Sequence, residues 1–527
     1  MDRREKQYIL QNAGKKTLRE IASELGIKER KVKKFLHENR LKSPAERSQP
    51  LHPSDHPQRH QIPAFAAAAI IAAIALTVYA NSFSNAFVYD DESHIVDNTA
   101  IRDPSNIPKM FVHDLTYFSE DRNGKFYRPL ESVSFAVDYL IWGLKPFGYH
   151  LTNTLLHLSV ALLLYFFACF IVIDNVQALM ISIIYLIHPV HTEAVTYISG
   201  RADSLSAVFL LAMAICQYRW WSSGRNARAI YYTAMLILFA GALLTKELAA
   251  LFPFLLMIFE YCFRQKDRYS GIINKRALFY IPFFIMIAIW YFARSAIVPL
   301  SAGVLIVPPL SARLIIIPRV IFDYLRLSFI PMNLHMDYQL PYPNSLFQQG
   351  YFEPLLPAAI FASIVAFLWV KGRSDAKCRT VFFGLAWFAI ALFPYLNIAF
   401  PLNAPFAEHW LYIPEMGLVI SVVAAVFMLA SSMRIRRALV IFLAIIAVVF
   451  ACLTIRQNTV WKDGMSFYSH TLKHAPYSAR IYNNLAIEFK RRGDFAKARE
   501  LLECALKIDP DYTQAKENLQ DILTERE

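Results

Sequence analysis

The sequence is poor in the residue patterns that staple or metallate a protein. It has six cysteines in 527 residues (Cys169, Cys216, Cys262, Cys378, Cys452 and Cys504), scattered and mostly in apolar runs. No CxxC pair or His/Cys ligand spacing occurs, so neither a disulfide framework nor a zinc site is supported. No cleavable signal peptide is expected, because the first apolar run begins only near Pro63, after a long basic tail. The histidines of the 188–193 run are spaced H-x-x-H-x-E beside a proline, which fails the HExxH template of zinc hydrolases. No protein metal site is therefore predicted, and a divalent metal as helper is left open. The internal duplication that many transporters carry is also missing.

What is present is apolar surface: 56% of the residues are hydrophobic and 14% aromatic. A soluble chain of this length is rarely so apolar, so the sequence predicts an all-α, polytopic membrane protein. Spans of about 20 apolar residues are placed near 63–81, 150–172, 176–190, 204–221, 229–245, 248–263, 277–293, 354–370, 380–396, 411–430 and 438–455. The segment 305–331 is apolar but carries Arg313, Pro318, Arg319, Asp323 and Arg326, and it is expected to be interfacial or re-entrant. With eleven crossings, three basic loops (Arg264, Lys266, Arg268, Lys275 and Arg276; Lys371, Arg373, Lys377 and Arg379; Arg434, Arg436 and Arg437) all join the N-terminus on the cytoplasmic side. Much of the net charge of +13 then serves topology rather than nucleic-acid binding.

Two soluble regions flank the spans. Residues 1–40 contain a helix-turn-helix-like stretch, Thr17 to Asn39, split at Gly26, with Lys31, Lys33 and Lys34 on its second helix. A small trihelical cap, or a basic tail near anionic lipid headgroups, explains the same residues, and nucleic acid is not an expected partner. Residues 41–62, rich in Pro, Ser and His, read as a linker. The membrane domain is placed at 63–456 and a soluble helical domain at 457–527. Within the latter, 479–512 has the 34-residue tetratricopeptide pattern: Leu485, Ala486, Phe489, Gly493, Phe495, Ala498, Ala505, Leu506 and Pro510 fall in the expected places. So short an array is expected to pack on the membrane domain or on a partner protein.

The eleven-span topology gathers polar residues on one, extracytoplasmic, face. Asp90, Asp91 and Glu92 follow the first span. An aqueous loop is often acidic because it is wet, but acids at a membrane edge also mark function. Arg128 lies in the same loop. His150, Asn153 and His157 share one helical face, where His157 reads equally well as a hydrogen-bonded interior histidine. His188, His191 and Glu193 end the third span, Arg201 and Asp203 open the fourth, and Lys246-Glu247 sits at the next outer turn. Glu408-His409 precedes the tenth span. This mixture suits a reaction between a lipid phosphate and a hydroxyl. Cations hold the phosphate as it leaves, and one carboxylate takes the proton of the attacking hydroxyl. Hydrolysis of ordinary glycosides instead pairs two carboxylates.

At these residues the chain resembles the transmembrane and tetratricopeptide-repeat O-mannosyltransferases and their prokaryotic relatives, within the GT-C superfamily. The matching pieces are FVYDDESHIVDN (87–98), FYRPL (126–130), PFGYHLTNTLLH (146–157), HPVHTEAVTYISGRADSLSA (188–207), TKE (245–247) and AEHWLYIP (407–414), followed by the repeat. The resemblance implies a hexosyltransferase of GT-C architecture that moves a mannose-like hexose from a polyprenyl-phosphate donor to a protein or glycan hydroxyl. It makes Asp90 and Asp91 the catalytic pair, with one of them as base. The basic residues of the 188–207 motif would contact the donor, and Arg201, His191 and Lys246 are the expected phosphate contacts. Arg128, His188, Glu193, Asp203, Glu247, Glu408 and His409 complete the expected donor site. The family commonly has Ala-Glu-Arg where this chain has Ala407-Glu408-His409. A bacterial inner membrane fits the short repeat array, and an endoplasmic-reticulum membrane would give the same topology. The alternative from another class is a non-enzymatic scaffold or lipid transporter whose repeat recruits partners.

Overall fold

The computed structural model describes residues 3–12, 18–38, 62–119, 126–172, 174–264, 273–298, 308–343, 345, 348, 350–398, 402 and 404–524. The expected linker 41–62, apart from its last residue, and the loop residues Lys266 and Arg268 lie outside these. Every regular element among the described residues is helical. The described residues form two compact units that divide between 38 and 62.

The N-terminal unit has helices Arg3–Asn12, Leu18–Glu24 and Glu29–Glu38. The second and third match the expected pair, and Gly26 turns between them at φ +62°, a backbone that glycine adopts without steric cost. The first helix is additional to that pair and fits the trihelical alternative. It adds Ile9 to a core of Ile21, Ala22, Val32 and Leu36, making the unit trihelical.

In the second unit, eight helices are long and apolar enough to cross a membrane, or nine if Asn175–Leu186 and Pro189–Val195, bent by 51°, make one span. Eleven were expected, and two of those are short. Phe252–Phe263 has 12 residues, about 18 Å, because Pro253 starts the helix and the preceding residues form the tight turn Glu247–Leu251. Leu355–Lys371 has 17 residues, about 26 Å. The segment 305–331 contains a continuous 20-residue helix, Leu310–Phe329. Near its start Arg313 donates to the Asn397 carbonyl, and near its end Ser328 donates to Glu415. Both partners lie at the same end of the hairpin formed by Ala376–Leu392 and Tyr412–Met428. The helix thus lies across that end instead of running down the bundle. Arg319 and Arg326 both pair with Asp323, which lowers the cost of its charges near lipid.

Small residues set the tightest packing. In the first span Ala67, Ile71, Ala75, Val78 and Tyr79 are buried, a stripe at helical spacing. Gly384 and Gly417 face each other across the 376–392/412–428 hairpin, and a Cβ on either would overlap the other's carbonyl oxygen. Close backbone approach through small residues is a main source of helix association in lipid. Gly417→Leu is therefore expected to abolish most monodisperse protein on size-exclusion in detergent, whereas Ser159→Ala, at an exposed helical serine, should leave the profile unchanged.

The bundle's two ends are chemically sorted. One end holds Asp174 with Arg436 at 3.1 Å and Thr380 on the Ile171 carbonyl. The other holds the residues from Asp90 to Glu408 discussed below. The last long helix, Met433–Asn458, carries the chain past the expected 456/457 boundary into the repeat. Asn458 is fully buried and ties that exit down: it bonds the Val78 carbonyl, Asn81 and Thr196, and its own carbonyl accepts from Asn85.

The C-terminal helices are Gly464–His474, Ala479–Arg491, Phe495–Ile508 and Thr513–Thr524. Asp463, Ser478 and Asp494 cap the first three by accepting backbone N–H bonds, as such residues do at helix starts. Ala486, Ala498 and Ala505 are fully buried where the helices cross.

Candidate functional site

The segment 188–203 is the spine of the site, since each polar cluster touches it. Its middle part grips the acidic turn. Asp91 is fully buried, and its Oδ1 accepts from the Ser199 N–H at 2.9 Å and the Ser199 hydroxyl at 2.6 Å. Its Oδ2 accepts from the Val88 N–H at 3.0 Å. Burial pushes the Asp91 carboxyl up to about 7, against the pull of these hydrogen bonds. Asp91 is thus spent on holding the turn. Asp90 is half-buried, and its carboxylate lies beside the hydroxyl of buried Tyr197. Tyr89 beside it has φ +57°, a strained backbone for a bulky residue that a fold keeps only where its surroundings enforce it. The two aspartates therefore have different tasks, which the motif alone did not separate.

Two residues beyond the Ser199 grip, Arg201 begins a helix and meets partners inside the protein. It has no exposed surface, pairs with Asp138 at 2.5 Å, and bonds Asn153, Ser134 and the Tyr149 carbonyl. Its guanidinium also lies over Phe135, 4.6 Å from the ring centre. A side chain so committed ties the 188–203 segment to the helices Pro129–Trp142 and Pro146–Ile171. Expected at the donor phosphate, Arg201 makes these contacts inside the protein, with Asp138 as its charge partner.

Asp203, one turn on, pairs with buried Lys246 at 2.5 Å. Alongside, Arg128 bonds Glu247 at 3.1 Å and lies 3.5 Å from Glu131. Burial raises Glu131 to about 7 against the attraction of Arg128 and Lys246. For Glu247 burial works upward too, but the charge and hydrogen bonds of Arg128 outweigh it and leave the carboxyl lowered. Lys246 and Arg128 are thus the cations the fold places together at this end of the bundle.

At the start of the spine, Glu193 accepts from the His409 N–H at 2.9 Å and meets its Nδ1 at 2.8 Å. Glu408 accepts from the His335 N–H and the Tyr338 hydroxyl, and the two buried glutamates lie close enough to repel. His188 and His191 do not join them. His188 is buried, bonding the Ser328 carbonyl through Nε2 and the Val190 N–H through Nδ1. His191 is fully buried among the rings of Tyr185, Tyr412 and His157. Both were expected at the donor, and both are placed as interior packing. His157 takes its interior reading, bonded to Tyr412 and the Leu186 carbonyl. Among the described residues, no group of three or more His, Cys, Asp or Glu is arranged to hold a metal ion.

Sequence reasoning missed Ser199, Asp138 and Glu131. Ser199 sat inside the quoted 188–207 motif, and Glu131 stands three residues after Arg128 on one helical face. Asp138 gave no local signal, because its partner Arg201 is far away in the chain.

Comparisons with known proteins agree with the motif reading. Residues 479–512 match the tetratricopeptide repeat family model. The chain is 26% identical over 495 residues to protein O-mannosyl-transferase TMTC3 of Mus musculus, covering 85% of this chain and 52% of that protein. It is 27% identical over 481 residues to the Homo sapiens TMTC3, with the same coverage. A shorter match, 35% over 162 residues, joins it to Homo sapiens TMTC2, covering 30% of this chain and 19% of that one. The chain spans about half the length of the curated relatives it matches along most of its sequence. Among solved structures, ArnT from Cupriavidus metallidurans bound to undecaprenyl phosphate is similar at 15% identity and a TM-score of 0.41, over 86% of this chain and 77% of that one.

Proposed function

We propose that this chain is an integral membrane hexosyltransferase of the GT-C kind. It moves a mannose-like hexose from a polyprenyl-phosphate donor to a hydroxyl of a protein or glycan acceptor, on the extracytoplasmic face. The observation that carries this reading is the division of labour at the acidic turn. Asp91 is clamped by Ser199 and Val88, whereas Asp90 is left half-exposed beside the Tyr197 hydroxyl. The likeness to protein O-mannosyl-transferases along most of the chain supports the sugar and the acceptor class.

Asp90 accepts the proton of the acceptor hydroxyl as its oxygen attacks the anomeric carbon. The bond from that carbon to the phosphate oxygen breaks, and its electron pair leaves with the lipid phosphate. Arg128 and Lys246 supply positive charge for that phosphate. A phosphate leaves readily, so no general acid is required. The same segment serves both groups: Ser199 holds Asp91, and Asp203, four residues on, pairs with Lys246. His409, in place of the arginine common in the resembling family, takes its charge opposite Glu193 only when protonated.

The test is transfer by purified protein from radiolabelled polyprenyl-phosphate mannose to a serine- and threonine-rich peptide. Label on the peptide, with polyprenyl phosphate released in equal amount, supports the reading. No transfer from polyprenyl-phosphate mannose or polyprenyl-phosphate glucose, to peptide or to glycan, would reject it.

A further inference from the structure

The acidic turn is walled on its outer side by the tetratricopeptide repeat and the helix before it. Arg480, on the repeat's first helix, donates through Nη1 to the Tyr89 hydroxyl at 2.8 Å, and its guanidinium lies 5.7 Å from the centre of the Tyr89 ring. Its Nη2 lies 3.4 Å from Asp337, which Ser478 also bonds. The Tyr89 ring packs against Phe467 at 6.1 Å and Tyr197 at 6.3 Å, and Tyr197 stacks on Trp461. Three residues after Tyr89, Glu92 pairs with Arg491 of the same repeat helix at 3.2 Å. The aspartates are thus bracketed by two arginines from one helix, and the strained Tyr89 backbone is held by side chains that the spans do not supply.

We propose that the repeat forms a wall of the active site and that Arg480 is a positioning residue for Asp90, acting through Tyr89. The inference rests on the glycosyl-transfer reading and deepens it: the acceptor reaches its base along the face of the repeat's first helix. Arg480 orients the carboxylate by fixing the turn that precedes it. The other groups facing Asp90 are Asp91, Tyr197 and Tyr468, with Tyr89 beside it. Asp337 and the Glu92–Arg491 pair are the remaining charges around Arg480 and the turn.

The experiment compares Arg480→Ala, Arg480→Lys and, as control, Arg499→Ala in the full chain. Arg499 pairs with Glu503 on an exposed helix face. The side chain of Arg480 is half-exposed, so melting in detergent should change little. Arg480→Ala should lower kcat roughly 10- to 100-fold and leave the donor KM unaltered. Arg480→Lys should restore only part of kcat, because a cation is kept beside Tyr89 but the fork on its hydroxyl is lost. Arg499→Ala should match the wild type. A wild-type kcat in Arg480→Ala would overturn the proposal. So would a kcat loss accompanied by an equal loss in thermal stability. Wild-type protein that transfers no sugar would remove the underlying reading and this inference with it, whereas an active wild type with an indifferent Arg480→Ala removes only this one.

Discussion

Replacing Asp90 by Asn should cut sugar transfer by about 10²- to 10⁴-fold, the usual worth of a positioned general base, with wild-type expression and melting. The neutral amide keeps the shape of the side chain and cannot take a proton from the attacking hydroxyl. Asp91→Asn should behave differently. Both Asp91 oxygens accept bonds, from Ser199 and from Val88, and an amide group would turn one acceptor into a donor facing another donor. The cost of a buried unsatisfied group is about 1–3 kcal/mol, so this variant should melt earlier and lose activity through a disordered turn. The measurement is melting in detergent beside initial rates at saturating donor. If Asp91→Asn alone abolished transfer in a protein as stable as the wild type, the roles of the two aspartates would be exchanged.

The second large effect concerns Arg201. Arg201→Met leaves Asp138 charged and unpaired in a fully buried site, and breaking a buried pair from one side costs about 3–5 kcal/mol. The single variant should therefore yield little folded protein. The double variant Arg201→Met with Asp138→Asn removes the lone charge and keeps an acceptor for Thr152, which now bonds Asp138 at 2.7 Å. It should recover most of the monodisperse peak and measurable transfer. If Arg201→Met folded like the wild type and lost transfer, a direct phosphate role would return to Arg201.

How much was readable in advance depends on whether the cause was local. The helical spans, the tetratricopeptide pairing and its capped starts follow from periodicity and composition within a few turns, so they were legible. The eleven expected crossings were set by hydropathy windows. These cannot see that Pro253 and the turn before it shorten one helix, or that Arg313 and Ser328 anchor another across the bundle's end. At the site, the aspartates, Lys246, Arg128 and Glu408 all lie at span ends, which is why a motif reading can group them. Motif membership does not tell a ligand contact from an interior strut. Arg201, His188 and His191 look like donor contacts in the sequence, and the structure places them inside because their partners (Asp138, Ser328 and the Tyr185–Tyr412 rings) come from distant segments. Arg480 lies 390 residues from the turn it touches, and within a repeat pattern it reads as a solvated arginine.

The central claim is a single displacement with one carboxylate as base, and the anomeric configuration of the product reports on it most directly. NMR of the first product formed from a donor of defined configuration should show that the anomeric centre has inverted. Retained configuration would require a double displacement or attack from the face the phosphate leaves, and would contradict the role assigned to Asp90.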